Sequence, residues 1–315
     1  MNQPKTLQEA MIFFSDKQNA VDFVISLRWP EGVKCPHCQS TDLYYVKTRY
    51  IWQCKACKKQ FSVKVGTIFE DSALGLDKWL CAVWMIANAK NGISSYEIHR
   101  ALGVTQKSAW FMLHRIRYAM QNGSLDKLTG EIEVDETYVG GKVKNMHKGT
   151  REASGRGGSG KAIVMGLLER NGQVRTKVIG HASRQTLHHE IRKNVEAGAI
   201  VYTDELPAYQ GLEPEYAHKV IEHATEYVRG TVYTNGIENY WSLFKRALRG
   251  TYVNCDASHL FRYLDEETFR FNHRGTNDAS RFASVLSSVA GKRLTYNQLT
   301  DNETFKQMKI WKRFV

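Results

Sequence analysis

The sequence predicts an α/β protein: a mixed sheet with flanking helices, preceded by a small metal-bound module and a helical segment. Three observations predict it. Beyond residue 128, strand-like runs (EIEVDETYV, KAIVMGLLER, QVRTKVIG, AIVYTDE, HKVIEH) alternate with amphipathic helical ones (SRQTLHHEIRKNV, TNGIENYWSLFKRALRG). Four of the six cysteines fall into two CxxC pairs. Between Leu76 and Met120 the apolar spacing is helical. At 315 residues and 42% hydrophobic, the chain has material for two or three domains with real cores. Lysine and arginine number 44 against 32 aspartate and glutamate, and the net charge of +12 points to a polyanionic partner such as nucleic acid. No apolar stretch approaches the roughly 18 residues of a membrane span, and MNQPKTLQEA lacks the basic and apolar regions of a signal peptide. A soluble intracellular protein is expected.

Residues 1–30 read as one or two short helices stopped at Trp29-Pro30, because the residue before proline leaves the helical region. Residues 31–70 hold the CxxC pairs among short strands such as LYYV and YIWQC, and residues 71–122 are helical. The polar break QNGSLDKLTG leads to the sheet domain, 128–280, with a hairpin turn at Asn171-Gly172. Within it, GKVKNMHKGTREASGRGGSGK reads as a mobile basic loop carrying Lys142, Lys144, Lys148, Arg151, Arg156 and Lys161 against Glu152. A helical tail, 281–315, has no assigned role.

Cys35 and Cys38, then Cys54 and Cys57, are separated by fifteen residues, a spacing that closes short strands around one tetrahedral ion. Four soft thiolates favour Zn²⁺, and full protein ligation makes the site structural. The competing reading, two redox dithiols, needs each CxxC to open a helix, whereas here both sit in turns. His37 is expected to be exposed, and the lone Cys81 and Cys255 buried. Lys47, Lys55, Lys58, Lys59 and Lys64, interleaved with Tyr44, Tyr45, Tyr50 and Trp52, suit phosphate contact or simply a solvated face.

GISSYEIHRALGVTQKSAWFMLHRIR reads as a helix-turn-helix, with Gly103 in the turn and Thr105 as N-cap of the second helix. Ala109, Leu113 and Ile116 form the expected buried stripe. Gln106, Lys107, Trp110, His114 and Arg117 then lie nearer the outside, able to reach DNA. A plain helical hairpin is the alternative, and His99 stands where a small residue is usual.

Asp135 ends EIEVD, Asp204 ends IVYTD, and Glu238 opens a helix in which Lys245 follows two turns later on the same face. Oxygen ligands from three separated elements suit Mg²⁺ or Mn²⁺, and two such ions perform in-line displacement at phosphorus. Each acid also has a local explanation. Glu238 fits a capping box opened by Asn235, Asp204 a turn or helix start before Glu205-Leu206-Pro207, and Asp135 a strand-terminal turn with Glu136 and Thr137.

VDETYVGG, YTDELPAY, YVRG, TNGIENYWSLFKRALRGTY and HLFRYLDEETFRFNHR together resemble the transposases of the bacterial insertion-sequence family fifteen ninety-five, kin of the eukaryotic Merlin elements. The resemblance runs from the cysteine module through about residue 275. It implies an RNase H-like DDE core, with Asp135, Asp204 and Glu238 as the acids binding Mg²⁺ or Mn²⁺, and Lys245 touching DNA near the cut. Some branches place asparagine or histidine third, so Asn235 and Asn239 remain candidates. Glu266, Arg270 and Arg274 match a further signature, for which an i,i+4 ion pair is the structural explanation. The implied activity is binding of terminal inverted repeats, cleavage of element ends and joining of the 3′-hydroxyl to target DNA. Lys142, Lys144, Lys148, Lys245, Arg246 and Arg249 would contact phosphates, and the protein would work as a homodimer or larger assembly on the nucleoid in the cytoplasm. The rivals are a non-catalytic DNA-binding regulator and a nuclease that cuts without joining.

Overall fold

The computed structural model describes residues 4–121, 123, 126–140, 161–221, 234–253 and 255–300. They divide into two compact units. The first runs to Gln121 and takes in the residues from His273 on; the second lies between Asn122 and Asn272. No helix among the described residues is long and apolar enough to cross a membrane.

In the first unit, α1 (Leu7–Ser15) and α2 (Lys17–Arg28) are capped by the side chains of Thr6 and Asp16, and α2 stops at Trp29 as Pro30 requires. Three antiparallel strands follow, β1 (Leu43–Val46), β2 (Ile51–Cys54) and β3 (Gln60–Ser62). Then come α3 (Leu76–Asn88), α4 (Ser95–Leu102) and α5 (Gln106–Met120). Ser94 and Glu97 close a capping box on α4, Gly103 takes the left-handed conformation at φ 60°, and Thr105 caps α5. His99 bonds the Val104 carbonyl and so holds the turn where a smaller residue was expected.

The outward placement of His114 and Arg117 does not hold: both are buried, at 0% and 1% exposure. The reason is tertiary. The chain returns to this unit after His273, and α5 is enclosed by α3, α4 and the returning helix at Asp278–Ser287. Phe282 of that helix sits among Phe14, Phe23 and Trp84, which supplies a packing role for residues that carried none in the sequence.

The second unit is built on a five-stranded sheet. Its strands are β4 (Glu131–Val139), β5 (Ala162–Glu169), β6 (Val174–Ile179), β7 (Ile200–Thr203) and β8 (Ala217–Val220). The spatial order is β6-β5-β4-β7-β8, with β4, β5 and β6 antiparallel and β7 and β8 parallel to β4. This is the mixed sheet of an RNase H-like core. The hairpin between β5 and β6 spans Arg170–Gln173, and of the expected Asn-Gly pair only Asn171 takes a positive φ, 61°. α6 (Arg184–Asn194) packs Leu187 and Ile191 onto Ile132, Val134 and Val201. On the opposite face, α7 (Asn235–Ala247) and α8 (Leu260–Asn272) pack Ile237, Trp241, Phe244 and Leu264 onto Val164, Leu168 and Val174. From Ile132 to Asp135, β4 therefore alternates as its sequence requires, apolar toward α6 and acidic toward α7.

Candidate active site and zinc centre

Parallel pairing of β4 with β7 ends at Glu133 and Tyr202. Asp135 and Asp204 each lie two residues past that pair, where β7 leaves the sheet and β4 continues along β5 alone. Asp135 is therefore not strand-terminal as expected; the long β5 extends the strand to Val139. The carboxyl ends of parallel strands form the crevice in which open α/β sheets place ligands. Glu238 enters from the first turn of α7. Burial, then the negative charges of Asp204 and Glu238, push the Asp135 carboxyl up to about 6. The acids are spaced more widely than a single tight cage. Among the described residues, the four cysteines are the group whose ligand atoms all lie within 4.8 Å of one another.

Two positions that sequence reasoning passed over hold Asp135. Trp241 donates its indole Nε1–H to Asp135 Oδ2 at 2.9 Å. The ring lies over Gly166, which pairs with Asp135 across β4 and β5, and a Cβ there would come within 2.6 Å of Trp241 Cζ2. An isolated glycine in the strand KAIVMGLLER was the available signal, since it marks a close approach. Trp241 follows Glu238 by three residues, so both share one helical face.

The capping box that offered a local explanation of Glu238, opened by Asn235, is not formed. Thr234 is the N-cap residue, and its hydroxyl donates to Glu238 Oε1 at 3.2 Å. The helix is capped from the sheet instead: Glu133, 1% exposed, accepts from the Ile237 amide at 2.9 Å and from Arg170 Nε at 3.0 Å. Asn235, Asn239 and Glu238 are all exposed.

Glu136, the residue after Asp135, was also missed. It accepts from the Tyr209 hydroxyl at 2.5 Å, and burial, with Asp204 and Asp135 nearby, pushes it up to about 7. Beside Asp204, a cavity of about 290 Å³ is lined by Leu206, Tyr209, Gln210, His218 and Val220. His218 Nε2 lies 2.9 Å from Thr203 Oγ1 and its Nδ1 lies 3.2 Å from Glu213.

Lys245 is half-buried on α7, while Arg246 and Arg249 are exposed, Arg249 on the π-helical turn Leu248–Tyr252. Lys142, Lys144 and Lys148 lie outside the described residues. Glu266 and Arg270 form the i,i+4 ion pair on α8, which Glu267 joins at 2.5 Å and Tyr252 through its hydroxyl. Their burial makes this a structural network. Gln106 is tied to Ser95 at 2.9 Å; Lys107 is exposed, its ammonium 4.8 Å from the Tyr296 ring.

In the cysteine module, Cys35 and Cys57 Sγ atoms are 3.7 Å apart, and those of Cys38 and Cys54 3.6 Å. A zinc ion with bonds of about 2.3 Å sets tetrahedral edges of about 3.8 Å, so the four thiolates fit it. The Cys57 amide pulls the Cys54 thiol below its usual range, while that of Cys38, although bonded by the Ser40 backbone, is pushed up by burial and the neighbouring thiols. Gln39 and Lys58 adopt positive φ, 62° and 61°, one in each knuckle turn. His37 is exposed, Cys81 buried, and Cys255 half-buried rather than buried. Of the surface candidates, Trp52 and Tyr45 instead belong to an aromatic core with Trp29 and Phe61. Lys64 is half-buried, its ammonium held by the Ser72 and Leu74 carbonyls. Tyr44, Lys47, Lys58 and Lys59 remain exposed, and Lys55 pairs with Asp42 at 2.9 Å.

Comparison with known families agrees with both halves of this architecture. Residues 127–272 match the ISXO2-like transposase domain, and residues 15–60 match the transposase zinc-ribbon domain. A protein in transposable element ISH50 of Halobacterium salinarum is 28% identical over 252 residues, covering 75% of this chain and 84% of that protein. A transposase-like protein of Haemophilus influenzae is 35% identical over 102 residues, 32% of this chain and 82% of its own length. With a Cys₄ zinc ribbon ahead of a mixed-sheet core, this chain belongs to the ISXO2-like transposases of the IS1595 family.

Proposed function

We propose that this protein binds the terminal inverted repeats of a mobile element, cleaves the element ends, and joins the freed 3′-hydroxyl to target DNA by metal-dependent phosphodiester transfer. The observation that carries this reading is the register of β4 and β7, which puts Asp135 and Asp204 each two residues past their last pair, together with the bond from Trp241 to Asp135, which brings the helix start that carries Glu238 against the same strand end.

The donor set suits hard divalent cations. It consists of carboxylates, and among the described residues none of the three is paired with a lysine or arginine. When bound, a pair of Mg²⁺ or Mn²⁺ ions would activate the attacking oxygen and neutralise the leaving one. Asp135 is held for this role by Trp241 and the Glu136 amide, Asp204 by the Leu206 amide, and Glu238 by Thr234. Lys245 and Arg246 on α7, with Arg249 on the turn that follows it, supply positive charge for backbone phosphates. In cleavage, water forms the new P–O bond as the 3′ oxygen leaves. In joining, that 3′-hydroxyl attacks a target phosphate and displaces the target strand's 3′ oxygen. Two ends must be held together, so a homodimer or larger assembly on the nucleoid is the working unit. Gln106, Lys107 and the exposed lysines of the ribbon are the proposed repeat-binding contacts.

The test is incubation of labelled element ends with the zinc-loaded protein, with and without Mg²⁺, alongside pre-cut ends presenting a 3′-hydroxyl. Mg²⁺-dependent nicking and joining, both abolished by Asp135→Asn, are expected. Cleavage that survives that substitution would overturn the reading, and cutting without joining would leave a nuclease.

A further inference from the structure

The acids around the crevice are held by neutral donors: Asp135 by the Trp241 indole, Glu238 by the Thr234 hydroxyl, and Glu136 by the Tyr209 hydroxyl. Neutral donors orient a carboxylate without cancelling its charge. Glu136 nevertheless stands apart. Successive strand residues face opposite ways, so Asp135 meets Trp241 on the α7 face while Glu136 meets Tyr209, which is packed in the core beneath α6 at 1% exposure.

Tyr209 lies five residues after Asp204, and two hydrogen bonds brace the chain between them. Asp204 Oδ1 accepts from the Leu206 amide at 3.1 Å, and the Leu206 carbonyl accepts from the Tyr209 amide at 3.0 Å. The parallel ladder that could fix Asp204 against Asp135 stops two residues short, at Glu133 and Tyr202. The 2.5 Å bond from Tyr209 to Glu136 spans that gap, joining the turn that carries Asp204 to the neighbour of Asp135.

We propose that the Tyr209–Glu136 hydrogen bond is a positioning device that sets the spacing of Asp135 and Asp204 and thereby the affinity of the crevice for divalent cations. The inference rests on the reading of those aspartates as cation ligands. Packing alone does not call for it, since phenylalanine would fill the Tyr209 site without placing a hydroxyl against a buried carboxylate.

The experiment is calorimetric titration of Mn²⁺ into the full-length, zinc-loaded protein without DNA, with thermal melting of every variant as a check on folding. Tyr209→Phe and Glu136→Ala are each expected to weaken Mn²⁺ binding by up to about tenfold, the scale of one net hydrogen bond. Glu136→Gln keeps a carbonyl acceptor for the Tyr209 hydroxyl, so it is expected to stay within about threefold of wild type. Asp204→Asn is the control that should remove binding. If Asp204→Asn abolishes binding while Tyr209→Phe leaves it unchanged, the positioning role is overturned and the cation site stands. If Glu136→Gln is as damaging as Glu136→Ala, Glu136 acts through its own charge and the positioning role is likewise overturned. Unchanged binding in Asp204→Asn overturns both the cation site and the device built on it.

Discussion

Trp241 reaches Asp135 because residue 166 has no side chain: the indole occupies the space above Gly166 and donates to Oδ2 at 2.9 Å. One glycine on β5 thus admits the aromatic ring that orients an acid on β4. Trp241→Phe should retain much of the packing and lose the donor. We expect a ten- to hundredfold fall in metal-dependent end cleavage, the equivalent of about 1.5–3 kcal/mol for a hydrogen bond to a charged group, with a small change in melting temperature. Gly166→Ala should be worse in both respects, since its Cβ has to displace the ring, costing about 1–3 kcal/mol of stability. Cleavage rates and melts measured on the two variants check the pair; wild-type cleavage by Trp241→Phe would remove the indole from the site.

The raised Asp135 pKa has a consequence for stability. Without divalent ions, the folded protein keeps a proton on Asp135 up to about pH 6, whereas the unfolded chain releases it near 3.8. The stabilisation this gives is complete below about pH 4 and is lost as pH rises through 6, on the order of 3 kcal/mol in all. Between pH 5 and 7.5 the wild type should therefore lose about 1.5 kcal/mol relative to Asp135→Asn, which cannot titrate. Urea unfolding of both proteins at matched pH measures this together with the smaller share of the Glu136 shift that Asp135 causes, and the zinc ribbon's own pH response cancels in the difference. Parallel profiles would show that Asp135 is not held in that environment. Mn²⁺ should stabilise the wild type more at pH 7.5 than at pH 5, because protons compete for the same oxygens.

The ribbon makes a separate prediction. Its aromatic core of Trp29, Trp52, Phe61 and Tyr45 is small, so the metal carries much of its folding energy. Cys54→Ser should lower bound zinc from one ion per chain to a small fraction and change the fluorescence of Trp52, whereas Cys81→Ser, in α3, should keep full zinc content. Elemental analysis of the purified variants decides it; equal zinc in Cys54→Ser and wild type would exclude the Cys₄ site.

How much of this could be read from the chain depends on how local each signal is. The face of β4 that carries Glu133 and Asp135 follows from period-two alternation, though the strand's extension past Asp135 does not, and the cysteine spacing carries its own geometry. Gly166 and Trp241 were half legible: a glycine inside a strand signals close approach, but its partner lies far along the chain on another element. Nothing in the sequence singles out Tyr209, and only the fold shows that its hydroxyl meets Glu136. His114 and Arg117 were misplaced for a different reason. Helical periodicity identifies one buried stripe, and nothing near residue 114 announces that residues beyond 273 return to cover a second side of α5.

Arg115, on that enclosed helix, shows what the return costs and how it is held. Its Nε donates to the Leu294 carbonyl at 2.8 Å, and its Nη1 to the carbonyls of Ile68 and Glu70 at 2.9 and 2.8 Å. The guanidinium is 4.4 Å from the centre of the Phe111 ring, and the residue is 3% exposed. Burial lowers its pKa, yet arginine stays charged, so three backbone carbonyls from two distant segments converge on one cation that water does not reach. Arg115→Met preserves volume but leaves those carbonyls without their donor, at a cost of about 3 kcal/mol or more. Arg115→Lys, with one compact ammonium, should recover only part of it, because no single point charge reproduces the planar fork. Unfolding by urea gives the totals, and limited proteolysis gives the location: cleavage should accelerate first near Leu294. If Arg115→Met unfolds like wild type and resists protease equally, the returning segment is held by Phe282 and its aromatic neighbours alone.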